Sequence, residues 1–524
     1  MKNLIKEIKE NNQDFEFYPT TKEIIKVIYN DLAIKDRYNK NHSILDIGCG
    51  NGNFFTKFKE IRESIRKFHI DNDIDETCYN LSKNAKAQSI AEMGQMFAIE
   101  KSEILLKNLP KDVVILGTDF YQQTLIDKNV DIIFSNPPYS EFEDWSTKII
   151  KESYCNTIYL VIPDRWVKSE QIKAALKLRN FTTKTLGSFD FLKADRQARA
   201  KVNIVKITKE IRVCNQYYGD QKTDPFEVWF EEEFKIELDQ KEEYSYKKAE
   251  KKKEEIKSEI IKGSSLIETL TNLYNQDMLK LLDNYKAVCD LDIDVLKELG
   301  VSIDNLKEGL KSKIKGLKIL YWRELFDNFD KIKSRLTFSK RNILFDKLND
   351  QGSVDFTESN IYAIVIWVIK NANQYFDEQL KEIYLELTET DFVKKYKSNQ
   401  RTWQNDRWRY KQEGNNTHYT LDYRIITHQG YKQDQFVSDV ETIASNLGFN
   451  YIGDVKKFKN GNIHFKFEKQ FIKAFNIEAA RLFGWINEPQ DILNEFEDIT
   501  QEDVDKYFKK SFTLDINNKQ LLLT

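Results

Sequence analysis

Short apolar runs recur between residues 43 and 209, and amphipathic stretches separate them. Such runs, bounded by turn residues, are typical of strands that are buried on both faces. Helices that cover both faces of a mostly parallel sheet produce this alternation. The pattern predicts an α/β domain with seven strands, the last two an antiparallel hairpin, at residues 43–47, 67–70, 112–116, 130–134, 157–162, 184–192 and 201–208.

Length and charge set broad limits on the molecule. The chain has 524 residues, more than one hydrophobic core usually supports, so we expect two to four domains. Its 81 Lys and Arg residues nearly balance 84 Asp and Glu residues. The overall charge therefore indicates no polyanionic partner, and any basic surface must arise by local segregation.

Changes in composition divide the chain into three regions. We predict a first domain over residues 1–210, a linker and helical region over 211–350, and a mainly helical α+β domain over 351–524. Charges of alternating sign fill residues 247–262, which favours a solvated helix or linker arm over a DNA-binding patch.

Cysteine usage and apolar content indicate the environment of the protein. The five cysteines are odd in number and lack CxxC spacing, so we predict no disulfide framework, no metal site and a reducing cytoplasm. The N-terminus lacks the apolar block of a signal peptide. The longest apolar run, residues 361–369, is far below the ~18 to 20 residues that span a bilayer, and it predicts a buried helix.

A glycine-rich turn follows the first predicted strand, with the sequence Asp46-Ile47-Gly48-Cys49-Gly50-Asn51-Gly52. Glycines at a strand-to-helix turn let the backbone approach a ligand closely, and Asp46 can hold a ligand ammonium. The dinucleotide fingerprint GxGxxG is absent, because the third glycine follows the second by two residues. The pattern DxGxGxG resembles that of class I methyltransferases, so Asp46, Gly48 and Gly50 are predicted to contact the cofactor.

Two further acidic residues follow predicted strands. Asp71 comes about 20 residues after the glycines, where a carboxylate can accept hydrogen bonds from both ribose hydroxyls. Asp119 follows the third strand, where it can accept from an adenine amino group while Phe120 packs on the purine. Either aspartate alone is as readily a loop cap or a surface charge, but their order along the chain favours a cofactor site.

The fourth predicted strand runs directly into Asn136-Pro137-Pro138-Tyr139. Two prolines stiffen this turn and lack backbone donors, which leaves an acceptor-rich turn. An exocyclic aromatic amine is a poor nucleophile, and acceptors for both of its N–H groups draw the nitrogen toward sp3 geometry. We predict that the Asn136 side-chain oxygen and the Pro137 carbonyl provide them, and that Tyr139 stacks on a flipped base.

These motifs together resemble a known family. Residues 15–209 resemble amino-methyltransferases, in which such a tetrapeptide binds the target amine. The resemblance implies a Rossmann-like methyltransferase domain with S-adenosylmethionine as cofactor. The segment Phe17-Tyr18-Pro19-Thr20 resembles the family segment that contacts the methionine end of the cofactor, so Tyr18, Pro19 and Thr20 are predicted to contact the cofactor. Cofactor motifs first, catalytic motif next and a large C-terminal region last is the gamma order among N6-adenine DNA methyltransferases.

The resemblance also implies a reaction and a partner. The implied reaction is methylation of adenine N6 in double-stranded DNA. The amine of a flipped base takes the methyl group from S-adenosylmethionine by direct displacement, without a covalent enzyme intermediate. In the family, an aromatic residue between the last two strands packs against that base, and Phe189 and Phe191 are both candidates. C5-cytosine methylation is excluded, because it needs a cysteine nucleophile after a proline and none of the seven prolines precedes a cysteine.

A basic and aromatic segment lies at residues 394–411 and contains one acidic residue. Basic side chains suit phosphates, and aromatic and amide side chains stack on bases or read their edges. We predict DNA contacts here at Lys397, Arg401, Trp403, Arg407 and Arg409. A packed structural segment with extended arginines is an equally good interpretation.

The substrate and the C-terminal region each leave an alternative. Asn-Pro-Pro-Tyr is shared with enzymes that methylate a release-factor glutamine or guanine N2 in ribosomal RNA, so a protein or an RNA is the alternative substrate. From residue 321, notably at 354–360 and 396–403, the chain resembles an uncharacterised domain that follows methyltransferase domains in phage and mobile-element proteins. The chain is alternatively the methyltransferase of a restriction or anti-phage assembly, whose C-terminal region binds partner proteins.

Overall fold

The structure is a computed structural model of the chain. It describes residues 2–35, 41–72, 90–155, 157–191, 196, 198–209, 224–234, 266–291, 293–351, 353–389, 393, 395–399, 402, 408–409, 418–419, 421–495 and 499–508. The chain divides into two compact units. The first contains residues 1–325 and 347–364, and the second contains residues 326–346 and 365–524. The domain boundaries near residues 210 and 350 stay predictions.

A seven-stranded mixed sheet lies in the first unit. Its strands are β1 (His42–Ile47), β2 (Met93–Ile99), β3 (Val113–Gly117), β4 (Ile132–Ser135), β5 (Thr157–Pro163), β6 (Phe181–Phe191) and β7 (Ala198–Lys209). The spatial order is β3-β2-β1-β4-β5-β7-β6. Strands β1 to β5 run parallel, and β7 pairs antiparallel with β5 and β6. The predicted α/β class and the antiparallel hairpin are confirmed.

The inner strands of this sheet explain the apolar runs in the sequence. Every residue of β4 is buried, and so is every residue of β5 after the first. Both faces of a parallel sheet are covered, so side chains on both sides of these strands leave water. At the centre, Leu45 of β1 pairs with Phe97 of β2 and Ile133 of β4. The carboxyl ends of these strands meet at one edge of the sheet.

Helices and short 3-10 turns precede, connect and follow the strands of the first unit. The helices are Lys2–Glu10, Lys22–Lys35, Asn53–Asp71, Glu103–Lys107, Phe142–Glu152, Glu170–Leu178, Pro225–Phe234, Leu266–Cys289 and Ile293–Glu298, and the 3-10 turns are Phe120–Gln122 and Asp164–Lys168. Two further helices, Ile303–Asn328 and Glu358–Lys370, each contain a boundary between residues of the first unit and residues of the second. In the latter helix Ile361, Ile364 and Val368 are buried, which confirms the helix predicted at residues 361–369.

The predicted second strand at residues 67–70 is wrong. These residues lie in helix Asn53–Asp71, in which Phe54 and Phe58 are buried one helical turn apart. The short apolar run is the last turn of this helix, where Ile70 is 78% exposed. The second strand is β2, whose last four residues are buried.

The second unit is mainly helical with small antiparallel sheets. Strands β10 (Arg424–His428), β11 (Gly453–Lys457) and β12 (Asn462–Phe467) form a sheet in the order β10-β12-β11, and β8 (Trp408–Arg409) pairs with β9 (His418–Tyr419). The helices are Asp330–Lys333, Phe338–Asp346, Ala372–Leu387, Gln433–Asn446, Lys469–Leu482, Pro489–Glu495 and Gln501–Tyr507. Phe376, Leu380, Val440 and Phe475 lie in its apolar core. The predicted α+β class of the C-terminal region is confirmed.

Two predictions from composition concern segments rather than the fold. In the described part of the chain, no helix combines the length and apolar content needed to cross a membrane. The charge-dense stretch at residues 247–262 lies outside the described residues.

Candidate functional site

The glycine turn after β1 has a backbone that favours glycine. Gly48, Gly50 and Gly52 have φ angles of 73°, 58° and 74°, all in the left-handed region. A Cβ atom at Gly50 would lie 2.3 Å from the Phe17 ring, and one at Gly52 would lie 2.6 Å from Pro110. Side chains are therefore excluded at these glycine positions, and the start of the turn, Gly48 and Cys49, forms part of a cavity wall.

A cavity of ≈ 330 Å³ opens beside this turn. Asp46 of β1 is buried in its wall, and its Oδ1 atom has no hydrogen-bond partner among the described residues. Burial, together with the neighbouring Glu100 carboxyl, raises the pKa of Asp46 well above its usual range. A buried carboxylate without a partner is unfavourable until a cation or a donor meets it, so Asp46 is placed to bind a cationic group.

Glu100 occupies the place that the sequence analysis gave to Asp71. It directly follows β2, lines the cavity, and accepts hydrogen bonds from the N–H groups of Gly50 (2.7 Å) and Ser102 (2.8 Å). Burial raises the pKa of Glu100, and these backbone bonds oppose the rise. A carboxylate accepts about four hydrogen bonds, so positions stay open for ligand hydroxyls. Asp71 is exposed at the end of a helix and not at a strand end, and it is outside the cavity lining, so the structure does not bring it together with the other predicted residues.

The loop after β3, residues 118–123, forms a second wall and is called the β3 loop below. Asp119 accepts the N–H of Tyr121 at 3.0 Å, and its carboxylate pairs with Lys101 at 2.9 Å. Phe120 is buried, with its ring centroid 4.4 Å from that of Trp145. Both Asp119 and Phe120 line the cavity, which places a carboxylate and an aromatic ring side by side.

Asn136 directly follows β4 and is held by an N-terminal segment. Its amide nitrogen donates to the Tyr18 carbonyl oxygen at 2.9 Å and to the Thr20 hydroxyl oxygen at 3.4 Å. Its amide oxygen, Oδ1, is buried and has no hydrogen-bond partner within the described part of the chain. Asn136 lines the cavity, so it offers an acceptor to a ligand N–H group.

The residues after Asn136 form a stiff turn. Pro137 is buried, and neither Pro137 nor Pro138 has a backbone N–H to donate. The Tyr139 ring stacks on that of Tyr18, with centroids 5.8 Å apart and planes 4° from parallel. Arg165 donates to the Tyr139 carbonyl oxygen at 3.2 Å. These contacts fix the turn against both the N-terminal segment and the residues after β5.

The cavity brings together most of the predicted cofactor and catalytic residues. Those that line it are Tyr18, Pro19, Thr20, Asp46, Gly48, Asp119, Phe120, Asn136 and Pro138. Gly50, Pro137 and Tyr139 adjoin lining residues along the chain but are not part of the lining.

Sequence reasoning missed several lining residues, of which Glu100 and Trp145 have the clearest roles. A signal for Glu100 was present, because a short apolar run ends directly before this acid. Nothing in the local sequence marks Trp145. Of the two aromatic candidates for contact with a base, Phe189 is half-buried in β6, and the side chain of Phe191 lies outside the described residues.

The predicted DNA-binding segment is described in part. Lys397 is exposed in the 3-10 turn Lys397–Asn399, and Arg409 lies in strand β8. Asn399 binds the edge of β10, since its amide exchanges two hydrogen bonds of 2.7 and 2.8 Å with the backbone of Ile426. The remaining predicted contacts lie outside the described residues, at Arg401, Trp403 and Arg407.

Two segments of the chain match known families. Residues 4–166 match a family described as N-6 DNA Methylase, and residues 314–447 match a domain of unknown function, DUF4942. The first match contains every residue that lines the cavity. The first unit thus contains a methyltransferase domain, and S-adenosylmethionine is the cofactor of this kind of domain. The second match covers much of the region that resembles an uncharacterised domain.

Three solved methyltransferase structures are similar to part of the chain. The 23S rRNA methyltransferase ErmE is 11% identical, over 37% of this chain and 70% of its own, with a TM-score of 0.26. A dimethyladenosine transferase from Plasmodium falciparum is 13% identical, over 37% of this chain and 63% of its own, with a TM-score of 0.25. A chain from an E. cuniculi complex that methylates a translation termination factor is 14% identical, over 37% of this chain and 99% of its own, with a TM-score of 0.24. Similarity at this level identifies no substrate, and a search of curated proteins gives no match.

Proposed function

We propose that this protein is an S-adenosylmethionine-dependent methyltransferase that methylates N6 of adenine in DNA. The free acceptor on Asn136 carries the proposal. Its amide nitrogen binds Tyr18 and Thr20, while its Oδ1 is buried at the cavity without a partner among the described residues. An N–H group of a substrate amine satisfies this acceptor, whereas a substrate without an N–H group leaves it unpaired.

The cavity fits S-adenosylmethionine. Asp46, with its unpartnered Oδ1, suits the cofactor ammonium, and Glu100 suits the ribose hydroxyls. Asp119 suits the adenine amino group, and Phe120 suits the purine face. The cavity volume of ≈ 330 Å³ is in the range of small-molecule sites, about 300 to 1,000 Å³. When bound, the cofactor supplies an electrophilic methyl carbon.

The turn after β4 prepares the amine for attack. In our proposal one N–H group of adenine N6 donates to Asn136 Oδ1 and the other to the Pro137 carbonyl oxygen. These bonds draw the nitrogen lone pair out of conjugation with the ring. Because two hydrogen bonds hold the Asn136 amide, the acceptor needs little reorganisation during the reaction. Direct displacement at the methyl carbon would form the N–C bond as the S–C bond of the sulfonium breaks, which would leave S-adenosylhomocysteine, and the methylated nitrogen would then lose a proton to solvent.

Access to N6 requires that the base leaves the double helix, because the reacting atom is inaccessible inside the duplex. Tyr139 provides an aromatic face for the extruded base. Arg165 is exposed and bound to the Tyr139 carbonyl oxygen, so its guanidinium suits a phosphate beside the flipped nucleotide. The turn thereby combines amine recognition with a stacking face and a cation.

The C-terminal region supplies DNA affinity in this proposal. A pocket for one base does not offset the unstacking free energy of a few kcal/mol, so further contacts with double-stranded DNA are needed. The basic segment provides them at Lys397, Arg401, Trp403, Arg407 and Arg409. The order of the motifs, with a large region after the catalytic turn, supports a gamma-type enzyme.

Methyl transfer to defined acceptors tests the proposal. The full chain is incubated with methyl-labelled S-adenosylmethionine and, in separate reactions, double-stranded DNA, ribosomal RNA or a protein extract. We expect label in DNA, recovered as N6-methyladenine by nucleoside mass spectrometry. Label only in RNA or protein, or only as N4-methylcytosine, contradicts the assignment.

A further inference from the structure

We propose that Asn360 is a positioning residue for the β3 loop, through which it sets the affinity of the cofactor site. Asn360 lies outside the segment that matches N-6 DNA methylases and inside the region that matches DUF4942. The inference rests on the proposed function, because it takes S-adenosylmethionine as the ligand of the cavity.

The Asn360 side chain is fully buried and contacts both ends of the loop. Its Oδ1 accepts from the N–H group of Thr118 at 3.0 Å and from the Thr118 hydroxyl at 3.2 Å. Oδ1 also accepts from Gln123 Nε2 at 3.2 Å, and Nδ2 donates to Gln123 Oε1 at 2.8 Å. Nδ2 donates a second bond, to the Asp355 carbonyl oxygen at 2.8 Å. One amide therefore fixes the start and the end of the loop.

The residues that Asn360 holds enclose the cavity-lining part of the loop. Thr118 lines the cavity, and Asp119 and Phe120 follow it. Gln123 Nε2 also donates to the Asp119 carbonyl oxygen at 3.0 Å. A displacement of Thr118 or Gln123 therefore moves the carboxylate and the ring that we assign to the cofactor adenine.

Asp355 anchors this arrangement through buried charges. Its carboxylate accepts from Lys128 Nζ at 3.0 Å and from Lys318 Nζ at 2.6 Å. It also accepts the N–H group of Thr124 at 2.9 Å, directly after the loop. Burial opposes ionisation, yet the two ammonium groups hold the pKa of Asp355 well below its usual value. A buried network whose members are paired favours a single arrangement, so the support for Asn360 is rigid.

Asn360→Ala in the full chain tests the positioning role. The variant leaves the N–H group of Thr118 and the Gln123 amide without their partner, so the loop samples other arrangements. We expect the Kd for S-adenosylmethionine, measured by calorimetry, to rise about 10-fold. In methyl transfer, we expect the KM for S-adenosylmethionine to rise by a similar factor and kcat to change by less than about threefold.

Asn476→Ala is the matched control. Asn476 is also a buried asparagine whose side-chain amide makes two hydrogen bonds. Its Nδ2 donates to the Leu421 carbonyl oxygen at 2.9 Å, and its Oδ1 accepts from the Leu421 N–H group at 3.1 Å. It is absent from the cavity lining. We expect this variant to lower the unfolding midpoint without changing cofactor affinity. Gln123→Met, which keeps the side-chain length, takes the place of Asn360→Ala if that variant does not fold.

Two outcomes overturn the positioning role. One is an equal affinity for S-adenosylmethionine in the wild type and in Asn360→Ala, or in Gln123→Met if Asn360→Ala does not fold. The other is an equal loss of affinity in Asn476→Ala, which would show a general effect of lowered stability. If the wild type itself does not bind S-adenosylmethionine, the proposed function fails, and this result is distinct from either outcome.

Discussion

Two walls of the cavity are held in place in different ways. The proposed catalytic turn, residues 136–139, is fixed by Tyr18, Thr20 and Arg165, which all lie in the segment that matches N-6 DNA methylases. The β3 loop is fixed by Asn360, from a region that matches a different family. The turn that we propose for the target amine is thus held by residues of the methylase segment, whereas the loop that we propose for the cofactor adenine is held by a residue beyond that segment.

The difference between the two walls concerns which residues belong to the first unit. Both family matches contribute to the first unit, which contains residues 347–364 as well as residues 1–325. A boundary drawn at the end of the methylase match would leave Lys128 buried without Asp355. The β3 loop, unlike the turn after β4, is therefore supported by side chains from both matched regions.

The largest effect should come from Asp355→Ala, which breaks the support of the β3 loop. Removing one partner of a buried ion pair costs about 3 to 5 kcal/mol, because the remaining charge has no partner. We expect the chemical-denaturation midpoint of the first unit to fall sharply. Asp454→Ala removes an exposed pairing with Lys466 and should leave the midpoint unchanged. Equal midpoints for wild type and Asp355→Ala would show that the buried charges do not hold the loop.

The second prediction compares Glu100 with Asp71 as the residue that binds the ribose hydroxyls of the cofactor. Hydrogen bonds to a charged group contribute about 1.5 to 3 kcal/mol, so Glu100→Ala should raise the Kd for S-adenosylmethionine roughly 10- to 150-fold. Asp71→Ala should leave it unchanged, because Asp71 is exposed and outside the cavity lining. Calorimetry on both variants decides between them. The reverse ranking would restore the assignment made from sequence spacing.

The pH dependence of cofactor binding tests Asp46. Its pKa is raised by burial and by Glu100, so the free protein holds a proton there that a bound cation displaces. Binding then releases a proton at pH values below the raised pKa, so affinity should rise with pH up to that pKa, by at most about 10-fold per pH unit. Asp46→Asn should bind weakly with a flatter pH profile. An identical slope in this variant would remove Asp46 from the ammonium site.

The smallest effect should come from the basic segment, which touches neither wall in the proposal. Lys397→Glu should lower the slope of log affinity for DNA against log salt concentration by about one unit. Cofactor affinity should not change. A salt titration followed by fluorescence anisotropy measures the slope, with Lys177→Glu as a control in helix Glu170–Leu178. Equal slopes for all three proteins would favour a protein-binding role for this segment.

The accuracy of sequence reasoning follows the range of the contacts involved. Asn136 was placed correctly at the cavity because an apolar strand runs directly into the prolines. The prediction that Asp71 ends the second strand was wrong. It assumed that this strand ends about 20 residues after the glycines, whereas residues 72–92 lie between helix Asn53–Asp71 and β2. The role of Asn360 had no local signal, since it binds Thr118 across 242 positions. Local patterns therefore give strands and turns, but not the contacts that hold a loop from a distant segment.

The most direct measurement compares the wild type with Asn136→Ala in methyl transfer to double-stranded DNA, with nucleoside mass spectrometry of the product. Loss of a preorganised group that acts on the reacting atoms costs about 10²- to 10³-fold in rate. We expect N6-methyladenine from the wild type and at least this loss in the variant, while its Kd for S-adenosylmethionine stays within about threefold. N6-methyladenine formed by Asn136→Ala at the wild-type rate would contradict the central claim that this acceptor binds the target amine.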